Sequence, residues 1–506
     1  MEPEYQQTFS LLTDVLIQMD RPEEAIVWLD DIKNISKASF YNNSLLKSNI
    51  LTEEELLRDF VLSNRIERLR NELLTAANGD RVNLNTQLIE AVNEKNRLKD
   101  KVLKNIVEEK LNLPRLQRHL GRNELILSFS LFENHLYKAS ISAGSVDMER
   151  ITFTDDDMQR IEFLIEGLSN NQTDLQELHW LYTRLFSEPV HSRYNKLYVI
   201  PDGFLYRIPI ETLPVEPVTS SYSFGSAKYM VEDFSISYLN SVLDLNTYAG
   251  RTPAMAHSRD FTGFGVSSFN RPVQTPYGTR ELSSLPYAEI EVNQISSAIT
   301  NLTNFEIKTG EHSTEKNFRN YAADSRILHI ASHSEVFHND PLFSLIYLNN
   351  EDGDTDSDND GRIYAYELFE LNLSNELVML SSCESGSGSY IQGSGITGLS
   401  RAFTYAGAQS LVMNLWQIRD QTASEIAVSF YSYLNRGMNK DQAMQLAKMD
   451  YINKNNSDPY LWGSYVLYGD IRPLIHKKRY FTYMITGLIL VVMFRFTVQA
   501  VHIEEE

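Results

Sequence analysis

The chain has 506 residues, 42% of them hydrophobic and 22% charged, enough to bury a full core and to hold more than one domain. Its formal charge of -21, with acids spread through the whole length, repels a phosphate backbone and argues against direct nucleic-acid binding. A single cysteine excludes an intramolecular disulfide framework and a cysteine-based zinc site, and fits a reducing compartment.

In chain order, the first residues carry no basic run followed by an apolar core, so no secretory signal is predicted and the bulk of the protein is expected in the cytoplasm. Residues 1–118 read as helical, with apolar residues at helical spacing: Leu56, Phe60, Ile66, Leu69 and Leu73, then Leu84, Leu88, Ala91, Leu98, Val102 and Ile106. Within them Leu11, Leu12, Val15 and Leu16, followed by Met19-Asp-Arg-Pro-Glu-Glu-Ala25-Ile26, resemble one tetratricopeptide helix, its turn and the start of the partner helix. The stretch 53–113 reads as long antiparallel helices whose apolar stripe is covered internally or by a protein regulator.

After Pro114 the texture turns β-rich, with Leu125-Ile-Leu-Ser-Phe-Ser-Leu-Phe as an early strand. Four apolar runs, 197–200, 327–331, 377–381 and 410–415, read as buried parallel strands, and helical patterns at 396–406 and 423–434 supply crossovers. Sites in such sheets form beyond the carboxyl ends of the strands. The run 327–331 ends in Ser332-His333, and the run 377–381 ends in Ser382-Cys383-Glu384. An imidazole beside a thiol generates the thiolate and later protonates the leaving amine, so His333 and Cys383 are the candidate catalytic pair. Backbone N–H groups at Ser334 and Cys383 are the candidate oxyanion donors. His329, four residues before His333, sits on a strand and reads as packed or hydrogen-bonded rather than as a zinc ligand.

The ordered set Leu197-Tyr-Val-Ile-Pro-Asp-Gly203, Ile208-Pro-Ile-Glu211, 327–334, Asp360-Gly-Arg-Ile-Tyr-Ala-Tyr-Glu367, 377–386, 393–408, Asn414-Leu-Trp416 and 458–469 resembles the CHAT domain, a caspase-like cysteine peptidase family related to caspases and separases. The resemblance implies a caspase-like sheet of mostly parallel strands flanked by helices over 119–475, and carries the catalytic dyad onto His333 and Cys383. It also implies a role in bacterial signalling. Two positions depart from the family pattern: Ser334 and Ser394 stand where glycine and glutamate are usual. Asp420 matches the acid that separase-type relatives place in the substrate pocket, and equally suits a cap for a helix beginning near Thr422. Asp356, Asp358, Asp360 and Glu367, with Gly361, fit the spacing of a calcium loop, against the alternative of a solvated acidic loop; no cofactor is required.

Residues 480–501 carry one charge over about the length of a membrane span. Lys477-Lys-Arg479 precedes them and an acidic tail, 502–506, follows. The fold class is therefore read as α/β, preceded by an all-α region and followed by one C-terminal transmembrane helix that anchors the peptidase domain to the cytoplasmic face of the inner membrane. The expected function is a membrane-anchored cysteine endopeptidase acting on a protein substrate and regulated through its N-terminal helices; the alternative is a catalytically silent scaffold.

Overall fold

The computed structural model describes residues 3–38, 51–52, 81–105, 110–245, 257–269, 273–275, 278–337, 344–350, 359–368, 371, 373–381, 390–391, 395–396 and 398–475, with scattered positions between 55 and 69. Helices α1 (Pro3–Gln18) and α2 (Pro22–Ala38) form the expected hairpin. Asp20 turns between them with φ 56°, a left-handed conformation that a short polar side chain tolerates. Helix α3 (Arg81–Asn105) pairs with the preceding stretch through Lys101–Glu55 at 2.6 Å and Arg58–Glu94 at 2.7 Å, an antiparallel register. Leu62, Ile66 and Ala91 are buried between them.

One large sheet follows. Its strands are β1 (Glu124–Phe132), β2 (His135–Ile141), β3 (Val146–Thr152), β4 (Lys196–Ile200), β5 (Ser235–Tyr238) and β6 (Arg259–Gly265). A short hairpin, β7 (Val273–Thr275) with β8 (Gly278–Arg280), precedes β9 (Phe305–Thr309) and β10 (Ser325–Ala331). After a small three-stranded sheet, β11 (Ser334–Glu335), β12 (Leu345–Tyr347) and β13 (Arg362–Tyr364), come β14 (Leu377–Ser381), the hairpin β15 (Tyr390–Ile391) and β16 (Gly395–Ile396), then β17 (Ser410–Asn414) and β18 (Tyr465–Gly469). The order across the large sheet is β3-β2-β1-β4-β5-β18-β17-β14-β10-β6-β9.

Strands β1, β4, β5 and β18 form one parallel block, and β17, β14, β10, β6 and β9 another; β18 meets β17 antiparallel. The four apolar runs read from sequence lie in β4, β10, β14 and β17, and their near-total burial explains why they are continuous rather than alternating. Two helices, α4 (Pro286–Ala298) and α5 (Asp420–Asn435), pack over the second block.

The helical hairpin is joined to this sheet by buried polar contacts. Asp30 accepts from the N–H groups of Val242 at 2.6 Å and Leu243 at 3.2 Å, and Lys33 donates to the Phe129 carbonyl. Ala25, Ile26 and Leu29 share one apolar cluster with Ile126, Phe132 and Ile200. These contacts make the hairpin part of the core of the first block.

The membrane anchor is corrected. Among the described residues no helix is long and apolar enough to cross a membrane. The expected span 480–501 lies outside the described residues, and its uninterrupted apolar stretch, 484–494, is about half of the ~20 residues a hydrocarbon core requires before Arg495 interrupts it. The transmembrane helix and the inner-membrane placement built on it are withdrawn.

Candidate active site

Strands β10 and β14 are parallel neighbours, with Ile327 opposite Leu377 and Ala331 opposite Ser381. They therefore end level, and His333 follows one end by two residues. Cys383 follows the other end by the same interval in sequence and lies outside the described residues.

His333 is partly exposed, with its ring centroid 5.9 Å from that of Phe269. Its Nε2 is 2.8 Å from the carbonyl oxygen of Ser283 and 3.4 Å from the Ser283 hydroxyl. A carbonyl only accepts, so in this hydrogen bond Nε2 carries the hydrogen and, in the neutral ring, the lone pair resides on Nδ1. The backbone of Ser283 thus selects the tautomer and fixes the ring plane. Nothing in the sequence marks Ser283, because a carbonyl has no residue signature.

Tyr347 N–H donates to the His333 carbonyl at 3.0 Å, and Ser334 pairs with Ile346. In an antiparallel ladder this makes 334 and 346 the non-hydrogen-bonded pair, so the Ser334 N–H points away from β12. Ser334 is not among the residues with positive φ, so serine strains nothing where the family usually has glycine.

A cleft of about 550 Å³ opens at the carboxyl ends of β10, β14 and β17. Ala331, Ser332, Ser381, Asn414, Glu291 and Asp420 are among its lining residues. Asp420 is the first residue of α5, two residues ahead of the expected helix start. Its carboxylate accepts from Gln421 N–H at 2.9 Å and from Tyr287 N–H at 3.4 Å, and a negative charge there suits the helix dipole. Helix position and cleft wall are therefore the same place.

His329 is fully buried on β10, as a packed residue. Its Nδ1 is 3.3 Å from the Tyr431 hydroxyl on α5, its Nε2 is 2.9 Å from Glu291 Oε1 on α4, and its ring stacks on Phe261 at 6.3 Å. Burial pushes the Tyr431 phenol well above its ordinary value, so it keeps its proton. Glu291 was not singled out from the sequence. The available signal was its place on the apolar stripe Ala288, Val292, Ile295, where an acid is out of character.

Of the four acids with calcium-loop spacing, Asp356 and Asp358 lie outside the described residues. Asp360 receives Arg362, whose Nε is 2.8 Å away; Glu367 receives Arg319 at 2.7 Å and Tyr364 N–H at 2.8 Å. Arg319 also reaches Glu315, which in turn accepts from Gly361 N–H at 2.9 Å. Among the described residues no group of three or more His, Cys, Asp or Glu side chains is arranged to hold a metal.

The segment Asn414-Leu415-Trp416 is clasped by the segment that begins at Asp458. Trp416 Nε1 donates to the Tyr460 carbonyl at 2.9 Å, and the Ser464 hydroxyl donates to the Trp416 carbonyl at 2.7 Å. Asp458 caps the short helix Pro459–Trp462 through Tyr460 N–H.

Over 106 residues the chain is 32% identical to tetratricopeptide repeat protein 28 of Mus musculus and 31% identical to that of Homo sapiens, a segment that is 21% of this chain and 4% of those proteins. The chain thus spans a small fraction of these curated relatives. Among solved structures, the Saccharomyces cerevisiae separase–securin complex aligns over 90% of this chain and 38% of that one, at 11% identity and a TM-score of 0.42. The Arg-specific cysteine proteinase gingipain R aligns over 63% of this chain and 74% of that one, at 9% identity and a TM-score of 0.38. The profile of the CHAT domain matches residues 175–470, more than half of the 506 residues, and the chain belongs to the CHAT domain family.

Proposed function

We propose that the chain is a cysteine endopeptidase in which Cys383 is the nucleophile and His333 its general base. The observation that carries this reading is the level pairing of Ala331 with Ser381 on adjacent parallel strands, which gives the histidine and the cysteine equal offsets from paired residues. With Nε2 holding its hydrogen against Ser283, Nδ1 takes the thiol proton as sulfur adds to the scissile carbonyl carbon. The imidazolium then returns that proton to the departing amine, leaving a thioester that water hydrolyses by the same route in reverse. The N–H groups of Ser334 and Cys383 are the proposed donors to the developing oxyanion, and Asp420 the proposed acid in the pocket. The N-terminal hairpin is the proposed seat of regulation by a protein partner, since its buried contacts tie it to the sheet.

The test is cleavage of a diverse peptide library by the full chain beside Cys383→Ala and His333→Ala, read by mass spectrometry. Cuts made by the native chain and lost in both variants support the dyad. Cuts that persist in Cys383→Ala, or none from the native chain with or without calcium, overturn it in favour of a silent scaffold.

A further inference from the structure

The hairpin of α1 and α2 buries one face against the sheet and leaves another open. Leu11, Val15 and Met19, four apart along α1, stand in one row and are 66%, 41% and 56% exposed. Beside this row a groove of about 690 Å³ runs between the hairpin and the chain at 110–114. Leu12, Leu16, Val27, Trp28, Leu111 and Leu113 give it an apolar lining. Exposed apolar side chains in line with such a groove form the kind of patch that marks an interaction surface. Helical hairpins of the tetratricopeptide type cover such a face with a like hairpin.

Charge decides which occupant fits. On the hairpin side the groove is edged by Glu23, Glu24 and Asp31, with Glu24 partly offset by its ion pair to Arg21. On the other side Lys110 lines it, and the chain then carries Arg115, Arg118 and Arg122, all exposed, with no acid between 110 and 123. A run of that composition stands out in a chain of formal charge -21. A ligand of one sign would be drawn to one edge and repelled by the other. A surface with an acidic edge, an apolar row and a basic edge is complementary to itself when turned through a twofold axis, because each acidic edge then meets the basic edge of the other copy.

We propose that this face is an isologous interface between two copies of the chain. The rows Leu11, Val15 and Met19 of the two copies cover one another, and Glu23 and Glu24 of each face Arg115 and Arg118 of the other. The apolar row supplies the buried centre of the contact and the charged edges supply its register and its salt dependence. The proposal goes beyond the peptidase reading and is independent of it, since Cys383 and His333 take no part in the contact.

The test is sedimentation equilibrium of the full chain. The native chain is expected to dimerise, with a Kd that rises as salt is added. Glu23→Lys with Glu24→Lys sets like charges opposite each other at both edges, and Arg115→Glu with Arg118→Glu does the same with the opposite sign. Each pair is expected to raise the Kd by about tenfold or more. An equimolar mixture of the two variant chains restores opposite charges at both edges and is expected to dimerise about as tightly as the native chain. Leu11→Asp with Met19→Asp is expected to leave monomers. All six altered side chains are exposed, and the melting temperature of each variant checks that it folds. If a charge pair does not fold, the apolar pair carries the test. A native chain that stays monomeric at every concentration, including one that binds only a different protein through this face, overturns the proposal. So does a dimer that the variants leave unchanged, or a mixture that shows no recovery.

Discussion

The hydroxyl of Tyr465 on β18 lies 2.8 Å from the hydroxyl of Ser381, the last residue of β14. This contact fixes the strand end two residues before Cys383. Tyr465 is fully buried, and its hydroxyl also reaches toward the Ala423 carbonyl at 3.5 Å.

Tyr465→Phe keeps the ring and deletes the tether. Stability should fall by about 1 kcal/mol, the usual net worth of one hydrogen bond. With Cys383 as the proposed nucleophile, peptidase kcat/KM should fall about tenfold, because a small misplacement of a nucleophile is felt strongly in rate. Denaturant melts and a peptide assay on the same preparation check both numbers; a stability loss with unchanged kcat/KM would show that the tether does not position the nucleophile.

Glu315 supplies a pH dependence. Burial pushes its carboxyl up to about 7, against the opposing pull of Arg319 and the Gly361 N–H. A folded value above the unfolded one of 4.5 means that the folded state binds the proton more tightly. The stabilisation is fully present below the unfolded value and is lost as pH rises through about 7. The urea midpoint of the native chain should therefore decline across that window by more than that of Glu315→Gln, which stays neutral and still accepts from Gly361. Parallel curves for the two proteins would refute the assignment.

Asp30→Ala removes the acceptor that holds the buried Val242 N–H and the half-buried Leu243 N–H. A cost of about 1–3 kcal/mol is expected for the orphaned buried donor at Val242. Hydrogen exchange in α1 and α2 should accelerate more than in β10 or β14, since the lost contacts join the hairpin to the first block alone. Uniform acceleration across the sheet would mean that hairpin and sheet unfold as one unit.

Gly469 has φ 96°, and a β-carbon there would lie 2.4 Å from the Gln409 carbonyl oxygen. Gly469→Ala should therefore destabilise by about 2–4 kcal/mol, adding backbone strain to a backbone clash that no rotamer relieves. Thermal unfolding checks the magnitude.

The sequence made the second block legible where burial on both faces leaves a continuous apolar run. Strands β10, β14 and β17 appear within two residues of their expected bounds, and the neighbour relation of β10 and β14 holds. The helix expected at 396–406 begins instead at Leu399, because Gly398 has φ 114°, which no helix accommodates. Hidden from sequence were groups defined by tertiary approach: the Ser283 carbonyl, the Glu291 carboxylate beneath His329, and the placing of β18 between β17 and β5. Each joins segments far apart along the chain, and local pattern carries no record of such meetings. The expected membrane anchor shows the opposite hazard, since residues 480–501 have the length and flanking charge of a span while their uninterrupted apolar stretch, 484–494, is too short for one.

The position of β18 has a consequence for synthesis. It follows every other strand of the large sheet along the chain, yet lies between β5 and β17, where the two blocks meet. Without β18, the edges of β5 and β17 that it pairs with have no strand between them. Until that strand emerges, Ser381 also lacks the Tyr465 hydroxyl. The last strand of the large sheet to be translated is therefore the one that joins its two blocks and supplies the Tyr465 contact to Ser381.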